Sequence, residues 1–308
     1  MPRRRKGDPV SGWICLDKPR DLGSTQAVGR VRRAFNAQKA GHAGTLDPLA
    51  SGILPIALGE ATKTVSFLMD AGKTYRFTIR WGIETATLDE EGAVTATSEA
   101  RPSPEAVRAA LPAFIGEIEQ IPPDYSAVKV GGARAYDLAR EGIAMELKPR
   151  RVTIHDARLV AAADTDHVTL EIDCGKGTYV RALVRDLATT LSAHAHVSEL
   201  RRTRVGAFTE AFAITLENLE NLCHGGAPLE ALLPVETALD DIPELAVTAE
   251  DAFRLTQGRS IVLLPRQVET LRARLTASRV VSARHELRIV ALCEMRAGRL
   301  NPTRVFHP

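Results

Sequence analysis

The sequence predicts an α+β protein, and three stretches predict it. Residues 73–81 alternate with a period of two: Tyr75, Phe77, Ile79 and Trp81 fall on one face, Thr74, Arg76, Thr78 and Arg80 on the other. Val180, Leu183, Val184, Leu187 and Leu191 recur at helical spacing. Between these types lies Gly41-His42-Ala43-Gly44-Thr45-Leu46-Asp47-Pro48-Leu49-Ala50-Ser51-Gly52, with a single carboxylate among three glycines, a proline and small side chains. Glycine opens conformations closed to other residues, and Pro48 restricts both itself and Asp47, so Asp47 belongs to a shaped loop. The apolar run 53–58 follows as a buried strand. An acid on a tight loop backed by a strand can aim a nucleophile or a base. The alternative is an Asp-Pro pair that only turns the chain.

The other elements follow in order. Trp13-Ile14-Cys15-Leu16 reads as a strand ending at the turn Asp17-Lys18-Pro19. Ser24 can cap a helix to about Ala37, with Val28, Val31 and Phe35 on one face. Ala61 to Met69 reads as a short helix, and 85–92 as a polar turn. Tyr75 at the start of its strand lies either at a cleft edge or in the core. Ser103-Pro104-Glu105 opens a helix to about Phe114. The segment 121–132 carries two prolines and two glycines and reads as an exposed, mobile loop, followed by a short helix near 135–140. Strands return at 152–160 and 167–173. Gly175-Lys176-Gly177 precedes the helix carrying Arg181 and Arg185; a glycine turn before a helix offers N–H groups to an anion, but the Gly-Lys-Ser/Thr ending of a nucleotide-hydrolase loop is absent. Residues 199–205 read as a basic strand and 225–243 as a linker. Thr248 and Asp251 form a capping box for a helix ending near Gly258, ahead of a small arginine-rich β module.

Composition bounds the function. With 308 residues, 44% hydrophobic and 25% charged, the chain is an ordinary soluble globular protein with room for one large and one small domain. No apolar run approaches the ~20 residues of a membrane span, and no signal-peptide core follows the basic start. Cys15, Cys174, Cys223 and Cys293 are far apart, which fits reduced thiols in cytosol and no zinc or disulfide framework. The net charge of +2 hides segregation. Residues 1–40 hold ten Lys/Arg against three Asp; residues 84–119 hold eight Asp/Glu against two Arg. Further basic clusters stand at 148–151 and 201–204. Such segregation suits a polyanion footprint, and equally a solvated surface. The eight histidines form no metal set; His194 and His196 read as a satisfied or exposed pair with no carboxylate nearby.

The stretch 41–52 closely resembles the catalytic loop of the bacterial TruB family of tRNA pseudouridine synthases. Leu16-Asp17-Lys18-Pro19 resembles that family's N-terminal motif, Lys73-Thr74-Tyr75 its tyrosine motif, and Pro122 to Lys129 its RNA-gripping thumb loop. Gly177-Thr178-Tyr179-Val180-Arg181 resembles its arginine motif, Leu200-Arg201-Arg202-Thr203 its next strand, and the ending a PUA-type RNA-binding module. The resemblance covers nearly the whole chain in order; the basic tail and about 262–285 match least.

The resemblance implies a pseudouridine synthase fold: a mixed, mainly antiparallel sheet flanked by helices over 1–240, a thumb insertion at about 122–151, and a C-terminal β-rich PUA-type domain over 244–308. It implies a cytoplasmic, monomeric isomerase that needs no cofactor, metal, membrane or protein partner and converts uridine 55 in the T loop of tRNA to pseudouridine. Asp47 is then the essential acid, attacking sugar C1′ or uracil C6, or taking the C2′ proton. Burial alone would raise its pKa, so a cation is needed; Arg181 fits, holding the carboxylate with two hydrogen bonds. Tyr75 would stack on the base and assist at C5, and Leu200 would pack on it. His42 would fill the space the extruded base leaves; the bland alternative is a loop histidine bonded to backbone. Lys18 and thumb-loop cations such as Lys129 would touch phosphates, and Tyr179 and Arg202 complete the substrate-binding set. A different class stays open: a tRNA-folding chaperone or RNA-binding protein with secondary catalysis.

Overall fold

The structure is a computed structural model that describes residues 7–126, 128–130, 133–143, 145–275 and 279–307. The first part comprises β1 (Gly12–Lys18), α1 (Ser24–Ala34), β2 (Ala40–His42), β3 (Ser51–Leu58), α2 (Val65–Asp70), β4 (Lys73–Trp81), β5 (Ile83–Thr85) and β6 (Val94–Thr97). Then come α3 (Pro104–Ala110), β7 (Gly116–Gln120), β8 (Lys129–Val130), β9 (Ala133–Arg134), α4 (Ala135–Arg140), β10 (Arg150–Ala162), β11 (His167–Cys174), α5 (Val180–Thr190), β12 (Ala195–Val205), β13 (Phe208–Thr209), β14 (Ile214–Thr215) and α6 (Leu216–His224). The C-terminal part holds β15 (Glu244–Ala246), α7 (Ala249–Thr256), β16 (Ile261–Val262), α8 (Pro265–Arg272), β17 (Val280–His285), β18 (Arg288–Arg296) and β19 (Arg299–Val305).

The large sheet runs β14-β1-β3-β12-β4-β11-β10-β7, with β2 beside β3 and β13 beside β12. Only β1–β14 and β3–β12 pair in parallel; the other pairs of this sheet are antiparallel. The C-terminal sheet runs β15-β17-β18-β19-β16. Strand β1 shows why its sequence lacks alternation: Ile14 and Leu16 enter the main core while Trp13 and Cys15 enter a second cluster on the opposite face. A strand covered on both sides reads as a continuous apolar run. Strand β4 alternates as expected, with Phe77, Ile79 and Trp81 buried and Arg76 and Arg80 exposed.

Several local expectations need correction. Helix α1 ends at Ala34 and Gly23 takes its N-cap position, because Ser24 is drawn away: its Oγ donates to the Leu46 carbonyl at 2.7 Å and accepts from the Leu46 N–H at 2.9 Å. The helix of 61–69 divides into a 3₁₀ turn at Gly59–Lys63 and α2. Pro122, Pro123, Ser126 and Val128 are buried, so the described part of the thumb segment is not simply an exposed loop. Residues 225–243 are more than a linker: Leu233 bridges to Trp13, and Ala238 and Leu239 are buried. The helix caps at Ser103 and Thr248 form as read, but the capping box at Thr248 is half made: Asp251 Oδ2 accepts from the Thr248 hydroxyl at 3.1 Å.

The two sheets meet through α2 and the turn before it. Lys63 Nζ donates to the Val305 carbonyl at 2.6 Å, and the Arg304 guanidinium sits 5.6 Å from the centre of the Phe67 ring.

Candidate active site

The Asp47 loop is held in shape by buried cations. Lys18, wholly buried at the end of β1, spends its ammonium on the carbonyls of Pro19, Leu22 and Pro48 at 2.8, 2.7 and 3.1 Å. Arg202, 1% exposed on β12, donates to the carbonyls of Ile53, Gly44 and Thr45 at 2.8, 3.1 and 3.4 Å. Lys73 at the start of β4 donates to Ala71 at 2.7 Å and Met69 at 3.1 Å, carbonyls at the C-terminus of α2. Burial pushes the ammonium groups of Lys18 and Lys73 down to about 8, Asp47 pulling Lys18 the other way. Gly52 lets β3 and β12 approach: at its φ of +98° a Cβ would stand 2.2 Å from the Arg202 carbonyl oxygen.

Lys18 therefore corrects the sequence reading: its ammonium is committed to main-chain carbonyls beneath the loop and shapes the Asp47 turn. Arg202 supports the same turn and also lines the cleft, where its guanidinium hydrogen-bonds the Tyr75 side chain.

Asp47 is 38% exposed at its side chain and meets Arg181 Nη2 through Oδ2 at 2.7 Å. The expected two-bond clasp is not made. The other terminal nitrogen, Nη1, turns to Asp89 Oδ2 at 3.1 Å and the Thr87 carbonyl at 2.9 Å, and Nη2 also donates to the Tyr125 carbonyl at 2.9 Å. Arg181 is thus shared between two carboxylates, one buried and one open to the cleft. Asp89 is 2% exposed and also accepts from the Thr87 hydroxyl and, at 3.1 Å, from the Glu91 N–H. Leu88 beside it has a φ of +61°, and its carbonyl accepts from Val197 of β12 at 3.1 Å. The polar turn 85–92 is therefore a built wall of the site, and Asp89 is a residue the sequence reading missed. The local signal was thin: an acid after Thr-x in an acidic run.

Asp47 opens into a cleft of about 550 Å³, large enough for a nucleotide-sized ligand. Tyr75, Tyr179, Leu200 and Arg181 line it with Asp47, and Arg150, Arg151 and Lys176 stand at its rim. Burial raises the Tyr75 phenol above its ordinary value against the pull of the Arg202 guanidinium, so it stays protonated near neutral pH. Burial likewise raises Tyr179, whose backbone N–H donates to Gln120 Oε1 at 2.9 Å. Leu200 is 8% exposed and presents an apolar surface. His42, on β2, is not among the residues lining the cleft; its Nδ1 is buried without a hydrogen-bond partner among the described residues, and burial lowers its pKa. The side chain of Lys129 and the whole of Ala127 lie outside the described residues. His194 does meet a carboxylate: Glu84 Oε2 lies 2.9 Å from its Nδ1, brought there by β5.

A carboxylate paired with an arginine, with a phenol and a leucine around a nucleotide-sized cleft, can bind and attack a planar base or its sugar. This sheet and its C-terminal β module place the chain in the pseudouridine synthase fold class. A chain in the solved structure described as "Crystal Structure of a Cbf5-Nop10-Gar1 Complex" superimposes with a TM-score of 0.72 at 26% identity, over 96% of this chain and 85% of that one. Residues 32–180 match the description "TruB family pseudouridylate synthase (N terminal domain)", and 181–240 match "tRNA pseudouridylate synthase B C-terminal domain". The protein named tRNA pseudouridine synthase B of Caulobacter vibrioides is 70% identical over 307 residues, covering 99% of each chain; that of Nitrobacter winogradskyi is 54% identical over 312 residues, covering 100% of this chain and 85% of the other. The chain belongs to the TruB family of pseudouridylate synthases.

Proposed function

We propose that this protein isomerises uridine 55 in the T loop of tRNA to pseudouridine, with Asp47 as the reacting carboxylate. The observation that carries the reading is the Asp47–Arg181 pair at 2.7 Å at the mouth of a cleft lined by Tyr75 and Leu200. The reaction breaks C1′–N1 and makes C1′–C5 with no net redox change and no group lost. Each of the three routes open to Asp47 uses its carboxylate, which Arg181 holds in the cleft. The neutral Tyr75 phenol offers a ring to stack on uracil and a hydroxyl near C5, and Leu200 offers apolar area on the same base. Extruding a stacked loop base costs a few kcal/mol, offset by stacking and backbone contacts. The cationic rim suits phosphate diesters, which position the RNA while loop shape specifies it. The unit over 1–240 would carry the chemistry, with 122–151 gripping RNA and 244–308 adding RNA contacts. His42 is assigned to the space behind the extruded base and Lys129 to backbone contact.

The test is to map pseudouridine in unmodified tRNA after incubation with the purified protein, by carbodiimide labelling and primer extension. The expected product is one stop, at the nucleotide immediately 3′ of position 55, lost when that uridine is replaced by cytidine. A stop elsewhere would refute the target. Tight tRNA binding with no product would favour the chaperone reading.

A further inference from the structure

The cations around the cleft divide into two kinds. Lys18 and Lys73 are buried and committed to main-chain carbonyls, and the buried Arg202 is shared between main-chain carbonyls and Tyr75. Lys176 is different. It lies at the cleft rim, 68% exposed at its side chain, and its Nζ meets Asp70 Oδ1 at 2.8 Å; Asp70 is 65% exposed and lines the same cleft. The pair joins the C-terminus of α2 to the turn before α5, two elements that flank the opening.

The helix end does not account for either residue, although the Asp70 carboxylate also attracts the buried Lys73 ammonium. Asp70 is the last residue of α2, where a carboxylate opposes the helix dipole. The carbonyls at that end are already served by Lys73. Lys176 stands between Gly175 and Gly177. Gly177 has a φ of +81°, and a Cβ there would meet nothing nearer than Val152 at 4.0 Å, so the glycine serves backbone freedom rather than close packing. An exposed ion pair is worth about 0.2–1 kcal/mol, so opening it costs little. A phosphate diester arriving at the rim attracts Lys176 and repels Asp70. Arg150 and Arg151 on the same rim add to the attraction.

We propose that Lys176 and Asp70 form an exchangeable latch across the cleft: the free enzyme holds Lys176 on Asp70, and substrate RNA takes Lys176 away onto a backbone phosphate. Asp70 then acts as a selectivity element, taxing any polyanion that does not bring a phosphate within reach of Lys176. This rests on the reading of tRNA as substrate.

The experiment is equilibrium binding of unmodified tRNA across a salt series, in the Asp47→Asn background so that no turnover occurs. It compares Lys176→Gln, Asp70→Asn and the double variant, each checked for an unchanged melting temperature. Lys176→Gln is expected to lower the slope of log K against log salt by about one, the mark of one lost phosphate contact. Asp70→Asn is expected to tighten binding about two- to fivefold at low salt, the worth of one exposed pair, and most of that gain should vanish in the double variant. An unchanged slope for Lys176→Gln, or unchanged or weaker binding by Asp70→Asn, would overturn the latch. Failure of the unsubstituted protein to bind tRNA would instead overturn the substrate reading, and the latch with it.

Discussion

Replacing Asp89 by Asn tests whether Arg181 must be shared. Arg181 carries its charge between Asp47 at 2.7 Å and Asp89 at 3.1 Å, and its side chain is 6% exposed. The substitution keeps the shape of Asp89 but removes the buried anion facing Nη1. Removing one partner of a buried pair costs about 3–5 kcal/mol where no counter-charge remains. Here Asp47 and the Thr87 and Tyr125 carbonyls remain, so the expected loss is smaller, about 1–3 kcal/mol. That is a fall of several degrees in melting temperature for a chain this size. The effect on rate is larger. Freed from Asp89, the guanidinium turns toward Asp47 and draws the carboxylate out of line. A displacement on the order of 1 Å costs about 100-fold in turnover. Single-turnover tritium release from tRNA carrying C5-tritiated uridine reads the rate, and filter binding reads affinity, which is expected to hold. Turnover within about threefold of wild type would refute the claim that Asp89 sets the geometry of the pair.

Three other substitutions examine the frame around the pair. Arg181→Lys keeps the charge but cannot reach Asp47, Asp89, Thr87 and Tyr125 together, so turnover should fall at least about 100-fold; near-normal single-turnover rates would contradict the planar-fork role. Gly52→Ala places a Cβ 2.2 Å from the Arg202 carbonyl oxygen at a positive φ, and urea unfolding should show a loss of about 1–3 kcal/mol or more; undiminished stability would show that β3 and β12 can separate there. Lys18→Met carries a pH signature. The Lys18 ammonium is lowered from an ordinary 10.5 to about 8 in the folded chain, so the unfolded chain binds more protons between those values. Through this group wild-type stability rises with pH across that window, and Lys18→Met lacks the rise. Urea unfolding at several pH values should show the difference moving in favour of wild type as pH increases, and a constant difference would contradict the buried-ammonium account.

What could be read from the sequence was local. The Asp47 loop, the alternation of β4, the Ser103 cap and the helix carrying Arg181 are each specified by neighbours within a few residues. The partnership of Asp47 with Arg181 needed the family resemblance, since the two are far apart in the chain. What escaped was set by tertiary contact. Asp89 looks like a surface acid until β12 holds its turn at Val197 and Arg181 reaches it. Lys18 sits at a strand end with the appearance of a phosphate-binding cation, but the loop supplies carbonyls that absorb its charge. Ser24 has the local signature of a helix cap, and its two bonds to Leu46 override that signature. Residues 225–243 are rich in glycine and proline, yet they pack against Trp13 because that face of β1 needs a cover.

The most direct measurement is tritium release from C5-tritiated tRNA by wild type and by Asp47→Asn, with tRNA affinity measured on both. Release by wild type and none by the variant, with affinity within about tenfold, is the expected result, because an uncharged isostere removes the reacting group and little binding surface. Release by Asp47→Asn at a rate near wild type would contradict the assignment of Asp47 as the carboxylate that does the chemistry.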